Sequence, residues 1–223
     1  MSIQSPKYKV QKHRMVDDMV LKVIVIGDGG CGKTSLIRRY IDNTFQSSCQ
    51  PTLGVDFTLK FLSYKNQPIT MQVWDIAGQE RTVGTMTRVY FHATVGAMVV
   101  FDLSRSEQTL PAAVRWKEDL DSKATRSPEG STVPCVLVGS KCDLAPDVPR
   151  SDADMKEFCE RHSFTSFFET SALNNINIEE AFQGLLGQII MDREGGVEPK
   201  TPSPNCVIRA FKKKEPLASS SCC

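Results

Sequence analysis

Between Val20 and Ile26 the chain reads Val-Leu-Lys-Val-Ile-Val-Ile, a β-branched apolar run that stops at Gly27. So short a run, with hardly any polar interruption, predicts a strand buried on both faces. Gly96–Phe101 and Val133–Val138 repeat the pattern, and each stops at a residue with chemical potential, Asp102 and Gly139. Val55–Leu62 alternates instead and predicts a strand with one wet face; Ile69–Trp74 is its neighbour. Asn66-Gln67 and Pro68 between them supply the turn chemistry of a hairpin. Helical spacing marks Lys33–Ile41, Leu110–Leu120, Met155–Cys159 and Ile178–Ile190, with Pro111 suited to a first helical turn and a short strand expected near Ser166–Phe168. Strands alternating with helices predict an α/β fold with a mostly parallel sheet. No internal repeat is visible.

The flanks differ from this core. Residues 1–18 are polar and mixed in charge and read as a flexible arm, residues 19–193 as one globular domain, and residues 194–223 as a tail. That tail turns to Gly, Pro, Ser and Lys, a composition that cannot bury a core, and is expected to be disordered. A chain of 223 residues accommodates this single domain with its tails. Its net charge of +1 gives no reason to expect a nucleic-acid partner. Val95–Phe101 falls far short of a membrane span. The opening Met-Ser-Ile-Gln-Ser-Pro-Lys lacks an apolar run before a small-residue cleavage site, so no secretory signal is expected. Cys31, Cys49, Cys135, Cys142 and Cys159 are scattered, no C-x-x-C pair occurs, and His13, His92 and His162 show no ligand spacing. Reduced thiols in a cytosolic protein are the reading this favours over a disulfide framework.

Chemistry enters at Gly27-Asp28-Gly29-Gly30-Cys31-Gly32-Lys33-Thr34, which fits G-x-x-x-x-G-K-[ST] in full and sits between a strand and a helix. Glycines let the backbone curl so that the N–H groups of Gly29, Gly30, Cys31 and Gly32 surround phosphate oxygens. The positive end of the following helix adds to the cradle. Lys33 is placed to reach the β- and γ-phosphates, Thr34 to coordinate Mg²⁺, and Ser35 to join the phosphate contacts. Trp74-Asp75-Ile76-Ala77-Gly78-Gln79-Glu80 is the second element of the site. Asp75 at a strand end can hold Mg²⁺ through water, Gly78 can offer its N–H, and Gln79 can orient a water toward the γ-phosphate.

The phosphate loop alone does not separate ATP from GTP. Ser140-Lys141-Cys142-Asp143 resembles the N-K-x-D element of Ras-like GTPases, and Glu169-Thr170-Ser171-Ala172 resembles their E-T-S-A element. In that family the Asp pairs with guanine N1–H and the exocyclic amine, and the Ala N–H meets guanine O6. Adenine offers no matching donors. With four such elements in order, residues 19–193 resemble the Ras superfamily. Gly54-Val55-Asp56-Phe57, Trp74-Asp75 and Gln79-Glu80-Arg81 are similar to its Rab family. Met86-Thr87-Arg88-Val89-Tyr90-Phe91, Phe101-Asp102-Leu103-Ser104-Arg105 and Trp116-Lys117-Glu118-Asp119-Leu120-Asp121-Ser122-Lys123 are similar to the Rab subgroup serving lysosome-related organelles.

The resemblance implies a P-loop small GTPase domain: a six-stranded, mostly parallel sheet with helices on both faces, binding GTP or GDP with Mg²⁺. It implies a GTP-hydrolysing switch in vesicle trafficking, the alternative being a nucleotide-binding scaffold with little hydrolysis. Phe45 would lie against guanine, and Thr52 would close on Mg²⁺ and the γ-phosphate. The base would also meet Ser140, Lys141, Asp143, Ser171 and Ala172, while Gln79, Lys33, Thr52 and Gly78 would serve catalysis. Residues 46–54 would be the first switch and 77–90 the second. Phe57, Trp74 and Tyr90 match the aromatic triad that Rab effectors read, although core packing is the other reading of these rings. No motif marks a resident arginine finger, so slow intrinsic turnover and an activating protein are expected, besides effectors and an exchange factor. The chain departs from the family at Cys49 in place of the first switch's tyrosine, at Thr82-Val83 in place of a phenylalanine, and at Ser140 in place of an asparagine.

Cys222-Cys223 resembles the Rab terminus that receives two geranylgeranyl groups, which implies prenylation and membrane-extraction machinery as partners. Two buried lipid chains anchor a protein stably where one does so marginally. Lys212–Lys214 fits either attraction to anionic lipid or a soluble charge run. The implied location is the cytoplasmic face of endosomal or lysosome-related membranes, with a cytosolic pool.

Overall fold

A computed structural model describes residues 19–48, 50–79, 86–124, 132–145, 151–195 and 207–208. The N-terminal arm, Cys49, Thr82-Val83 and Cys222-Cys223 lie outside them. The chain runs β1 (Met19–Ile26), α1 (Lys33–Asp42), β2 (Val55–Tyr64), β3 (Gln67–Ile76), α2 (Met86–Phe91), β4 (Gly96–Asp102), α3 (Ser106–Lys123), β5 (Cys135–Ser140), α4 (Asp152–Arg161), β6 (Ser166–Glu169), α5 (Ile178–Arg193) and β7 (Val207–Ile208). The sheet order is β2-β3-β1-β4-β5-β6-β7. Among these strands β2 pairs antiparallel with β3, and the other strand pairings are parallel. The expected mostly parallel α/β sheet is what forms, and the two residues of β7 join it beside β6, within the stretch expected to be disordered.

Two apolar cores explain the layers. Leu36, Ile37 and Tyr40 of α1 pack with Phe182, Leu185 and Ile189 of α5 over one face of the sheet. The Tyr40 and Phe182 rings stack at 3.8 Å between centroids. Phe91 of α2, Trp116 and Leu120 of α3, and Met155 and Cys159 of α4 cover the other face. Each of these large side chains contributes about 1.5–3 kcal/mol on burial. The β4 run is buried at every position because it has a helical layer on both sides, which is why its sequence shows no alternation.

Three expectations are corrected. The hairpin turn is Lys65–Asn66, both at positive φ (48° and 62°), while Gln67 and Pro68 lie inside β3 opposite Tyr64 and Ser63. A two-residue hairpin loop demands this left-handed pair to match strand twist. Pro68 is tolerated because β1 pairs with β3 only from Ile69 onward, so its missing N–H has no ladder partner to serve. Pro111 lies inside α3 rather than in its first turn, because the helix begins at Ser106, directly after a 3₁₀ turn at Leu103–Arg105. The short helix α2 carries no expected counterpart. The longer elements differ from expectation only at their ends, where helices and strands fray.

Candidate functional site

The parallel strands all point their carboxyl ends at one rim of the sheet, where ligands bind in open α/β folds. A cavity of about 660 Å³ opens there, of a size that suits a small ligand. Gly29, Gly30, Gly32, Lys33, Thr34 and Ser35 form its floor; Phe45, Thr52, Gly78 and Gln79 form one wall; Ser140, Lys141, Asp143 and Ala172 close the far end. Residues far apart in sequence are thus brought to one cleft.

The floor follows from its glycines. Gly32 precedes α1 with φ 88°, and the helix start has no side-chain cap, so its first N–H groups are left for another acceptor. Gly78 packs so tightly on the loop that a Cβ there would fall 2.1 Å from the Gly29 nitrogen. No other residue fits. Lys33 is buried, and its Nζ donates to the carbonyls of Gly27 (2.8 Å) and Asp28 (3.1 Å). Burial lowers its ammonium pKa, against the opposing charges of Asp75, Cys31 and Asp28.

Thr34, Thr52 and Asp75 meet beside this floor. Thr34 Oγ1 donates to Asp75 Oδ2 at 2.5 Å and lies 2.8 Å from Thr52 Oγ1, which itself reaches Asp75 Oδ2 at 3.3 Å. Burial raises the Asp75 carboxyl, a rise moderated by the Thr34 hydrogen bond and the Lys33 charge. Asp75 Oδ1 is buried with no hydrogen-bond partner. An orphaned carboxylate oxygen beside two hydroxyls is a hard oxygen set that fits Mg²⁺, and these three residues would hold it.

At the far end, Ser171 Oγ donates to Asp143 Oδ1 at 2.5 Å and fixes the carboxylate's orientation. Arg39 of α1 braces the loop opposite by donating from Nε to the Ala172 carbonyl at 2.7 Å. Ser140 Oγ lies 2.5 Å from the Cys31 carbonyl and 2.9 Å from that of Phe101. Lys141 stands at φ 58° and donates to the Gly30 carbonyl at 2.8 Å.

Three of the sequence-predicted residues do not line the cavity. Cys31 turns its side chain into the core, and burial raises its thiol pKa. Ser171 and Asp75 are buried and hydrogen-bond to Asp143 and Thr34, which do line it. Gln46, Ser47, Gln50 and Pro51, within the stretch expected as the first switch, also line the cavity, as do Leu36, Leu144 and Leu173, which sequence reading passed over. The only signal of those three leucines is position, next to Ser35, Asp143 and Ala172. It also passed over the Trp116 indole, which donates to Asp28 Oδ1 at 2.9 Å and ties the phosphate loop to α3. Phe57 and Trp74 stack at 5.3 Å on the sheet face, Phe57 more than half exposed, while Trp74 and Tyr90 also pack against the second core. Core packing thus accounts for Trp74 and Tyr90, and Phe57 is left facing solvent. No helix among the described residues is long and apolar enough to cross a membrane.

A phosphate-cradling loop before α1, at the carboxyl rim of a parallel sheet, defines a P-loop nucleotide-binding protein. The Ras family model matches residues 22–191. The chain is 48% identical over 176 residues to human Ras-related protein Rab-32, covering 78% of this chain and 77% of that protein. It is 40% identical over 212 residues to Ras-related protein Rab-32A of Dictyostelium discoideum, covering 93% and 94%. Human Ras-related protein Rab-7L1 matches at 42% over 175 residues, covering 78% and 84%. The chain belongs to the Ras family, in its Rab branch: it is a GTP phosphohydrolase that binds GTP and GDP with Mg²⁺ and acts as a switch in membrane trafficking.

Proposed function

We propose that the switch is worked by the residues gathered in this cleft. Backbone N–H groups of Gly29, Gly30, Cys31 and Gly32, with Lys33, Thr34 and Ser35, hold the phosphates. Phe45, Lys141, Asp143 and Ala172 hold guanine, Ser140 ties their loop to the phosphate loop through the Cys31 carbonyl, and Ser171 orients Asp143. Thr34, Thr52 and Asp75 hold Mg²⁺, which when bound neutralises charge on the phosphate oxygens. Gln79 places the attacking water, while Lys33 and the Gly78 N–H stabilise charge that develops on the γ-phosphoryl group. The observation that carries this reading is the meeting of Thr34, Thr52 and Asp75, drawn from α1, the first switch and β3, at 2.5 to 3.3 Å.

Residues 19–193 form the working domain and residues 194–223 a tether. Cys222 and Cys223 carry lipid, added by prenylation machinery and shielded by membrane-extraction machinery. The protein acts on the cytoplasmic face of endosomal or lysosome-related membranes, keeps a cytosolic pool, and has no nucleic-acid partner. Its relatives named Rab-32 and Rab-7L1 support this setting. Gln79→Leu is the test. Nucleotide binding stays within about twofold, while hydrolysis, alone and with an activating protein, falls roughly a hundredfold or more, the scale on which positioned groups act. Wild-type hydrolysis by this variant would refute the assignment.

A further inference from the structure

We infer that Asp102 is a positioning residue of the nucleotide site: it clamps Lys141 to the phosphate loop and thereby governs how fast nucleotide leaves. Asp102 ends β4, and the β4–β5 register sets it opposite Ser140, so that the next residue, Lys141, stands beside its carboxylate. The side chain of Asp102 is 1% exposed, yet it carries no apolar packing role that an alanine or leucine would not fill better. A buried carboxylate is retained where its charge has partners.

The two carboxylate oxygens have different partners. Oδ1 accepts from the backbone N–H of Ser104 at 3.0 Å and from Ser104 Oγ at 2.7 Å, capping the 3₁₀ turn that leads into α3. Oδ2 accepts from Lys141 Nζ at 2.7 Å and from Arg105 Nε at 3.2 Å. Lys141 Nζ also donates to the Gly30 carbonyl at 2.8 Å. Asp102, Lys141 and Gly30 thus form one chain of hydrogen bonds from the end of β4 through the guanine side of the cleft to the phosphate loop. Burial by itself would raise the Asp102 carboxyl, but the Lys141, Ser104 and Arg105 contacts together hold it below the usual carboxylate range. It is therefore ionised throughout the neutral range.

This linkage has a mechanical meaning. Nucleotide escapes when the phosphate loop and the guanine side separate; besides the Arg39 brace from α1 to the Ala172 carbonyl, two described ties join the guanine side to the phosphate loop itself. One is Ser140 to the Cys31 carbonyl; the other is Lys141 to the Gly30 carbonyl. An unclamped lysine side chain has several rotatable bonds, so its ammonium would sample many positions besides Gly30. The Asp102 charge restricts it to one.

Asp102→Asn separates this role from capping. The amide keeps an oxygen for Ser104 on the Oδ1 side but presents an NH₂ group to Lys141 and Arg105, donors facing donors. GDP and GTP should both leave roughly ten- to a hundredfold faster, the range for losing a charged hydrogen bond, expressed mainly in the off-rate. Single-turnover hydrolysis of GTP already bound should stay within about twofold, because Gln79, Thr52 and Lys33 are untouched. Ser104→Ala, which weakens only the Oδ1 side, should change release by less than about twofold. Release from folded Asp102→Asn accelerated less than about fivefold, or hydrolysis slowed in step with release, would overturn the inference. Should that variant fail to fold, ammonium NMR of the GDP-loaded wild-type chain decides instead. A coupling across the hydrogen bond between Lys141 Nζ and the Asp102 carboxylate is expected, and its absence would refute the clamp.

Discussion

Thr34 Oγ1 donates to Asp75 Oδ2 across 2.5 Å, joining the start of α1 to the end of β3 over 41 residues of chain. On the proposed reading, both groups serve the same cation. Thr34→Asn removes one oxygen of that set and leaves an amide too bulky for the same place. Mg²⁺ affinity should fall about tenfold or more, with GDP retained better than GTP. The site should also titrate. Burial places the Asp75 carboxyl above its ordinary value of 3.8, and Mg²⁺ prefers the ionised form. Metal binding should therefore weaken as pH falls and Asp75 takes up a proton. In the metal-free chain the sign is opposite: the raised pKa means protonated Asp75 favours the fold, a contribution full below 3.8 and lost as pH rises through the folded value. Mg²⁺-dependent GDP retention, followed from neutral to acid pH, checks the first, and unfolding of the metal-free chain over the same range checks the second.

Asp143 should decide the base. Its carboxylate, aimed by Ser171, would accept two hydrogen bonds from guanine and be left unpaired against adenine. GTP should bind at least about a hundredfold better than ATP. Asp143→Asn should shift preference toward xanthine nucleotides, whose C2 carbonyl suits an amide donor. Competition binding with the three triphosphates measures this, and equal competition by ATP in the wild type would sink it.

The parts of this design that are local in sequence were legible there. Gly27–Thr34 announces its loop because every residue that shapes it is contiguous, and β4 reads as a buried strand because the six residues Gly96–Phe101 are all apolar or small up to Asp102. Contacts set by register were not. Asp102 and Lys141 are 39 residues apart, and only the alignment of β4 with β5 reveals that they touch. Trp116 looks like plain core until α3 is seen to carry its indole to Asp28, 88 residues away. The Lys65–Asn66 turn was displaced by one position because Asn66-Gln67-Pro68 is a strong turn sequence. Strand pairing outweighed it: the Ser63–Pro68 and Tyr64–Gln67 pairs leave only two residues to turn. Helix α2, with six residues, is too short to show a period.

Attachment to membranes should depend on Cys222 and Cys223 together. One buried lipid chain gives only marginal, reversible binding, and a second makes it stable. Deleting both should shift the protein from the membrane pellet to the soluble fraction. Replacing either alone should leave partial attachment that washes out on dilution. Fractionation of cells expressing each form reads the outcome, and undiminished pelleting of the double deletion would rule out lipid anchoring through this pair.

Ser140 should make nucleotide release faster than an asparagine in its place. Its hydroxyl is 2.5 Å from the Cys31 carbonyl and 2.9 Å from the Phe101 carbonyl. A hydroxyl has one hydrogen, and both carbonyls compete for it. None is left to donate to a guanine ring nitrogen, whereas an asparagine amide carries two N–H groups and can serve the phosphate loop and the base at once. The tie to the loop survives in serine, so the loss is the single bond to the base, about 1 kcal/mol or roughly fivefold in affinity. Most of that difference should appear in the off-rate. The neighbour on that side is Gly32, which has no Cβ; one built there would stand 3.7 Å from Ser140 Oγ. Ser140→Asn should therefore slow release of fluorescent GDP about fivefold while leaving the Asp143 base preference intact. Equal rates, or faster release from the variant, would mean that the Lys141 tie to Gly30 already holds the base side as firmly as the asparagine could.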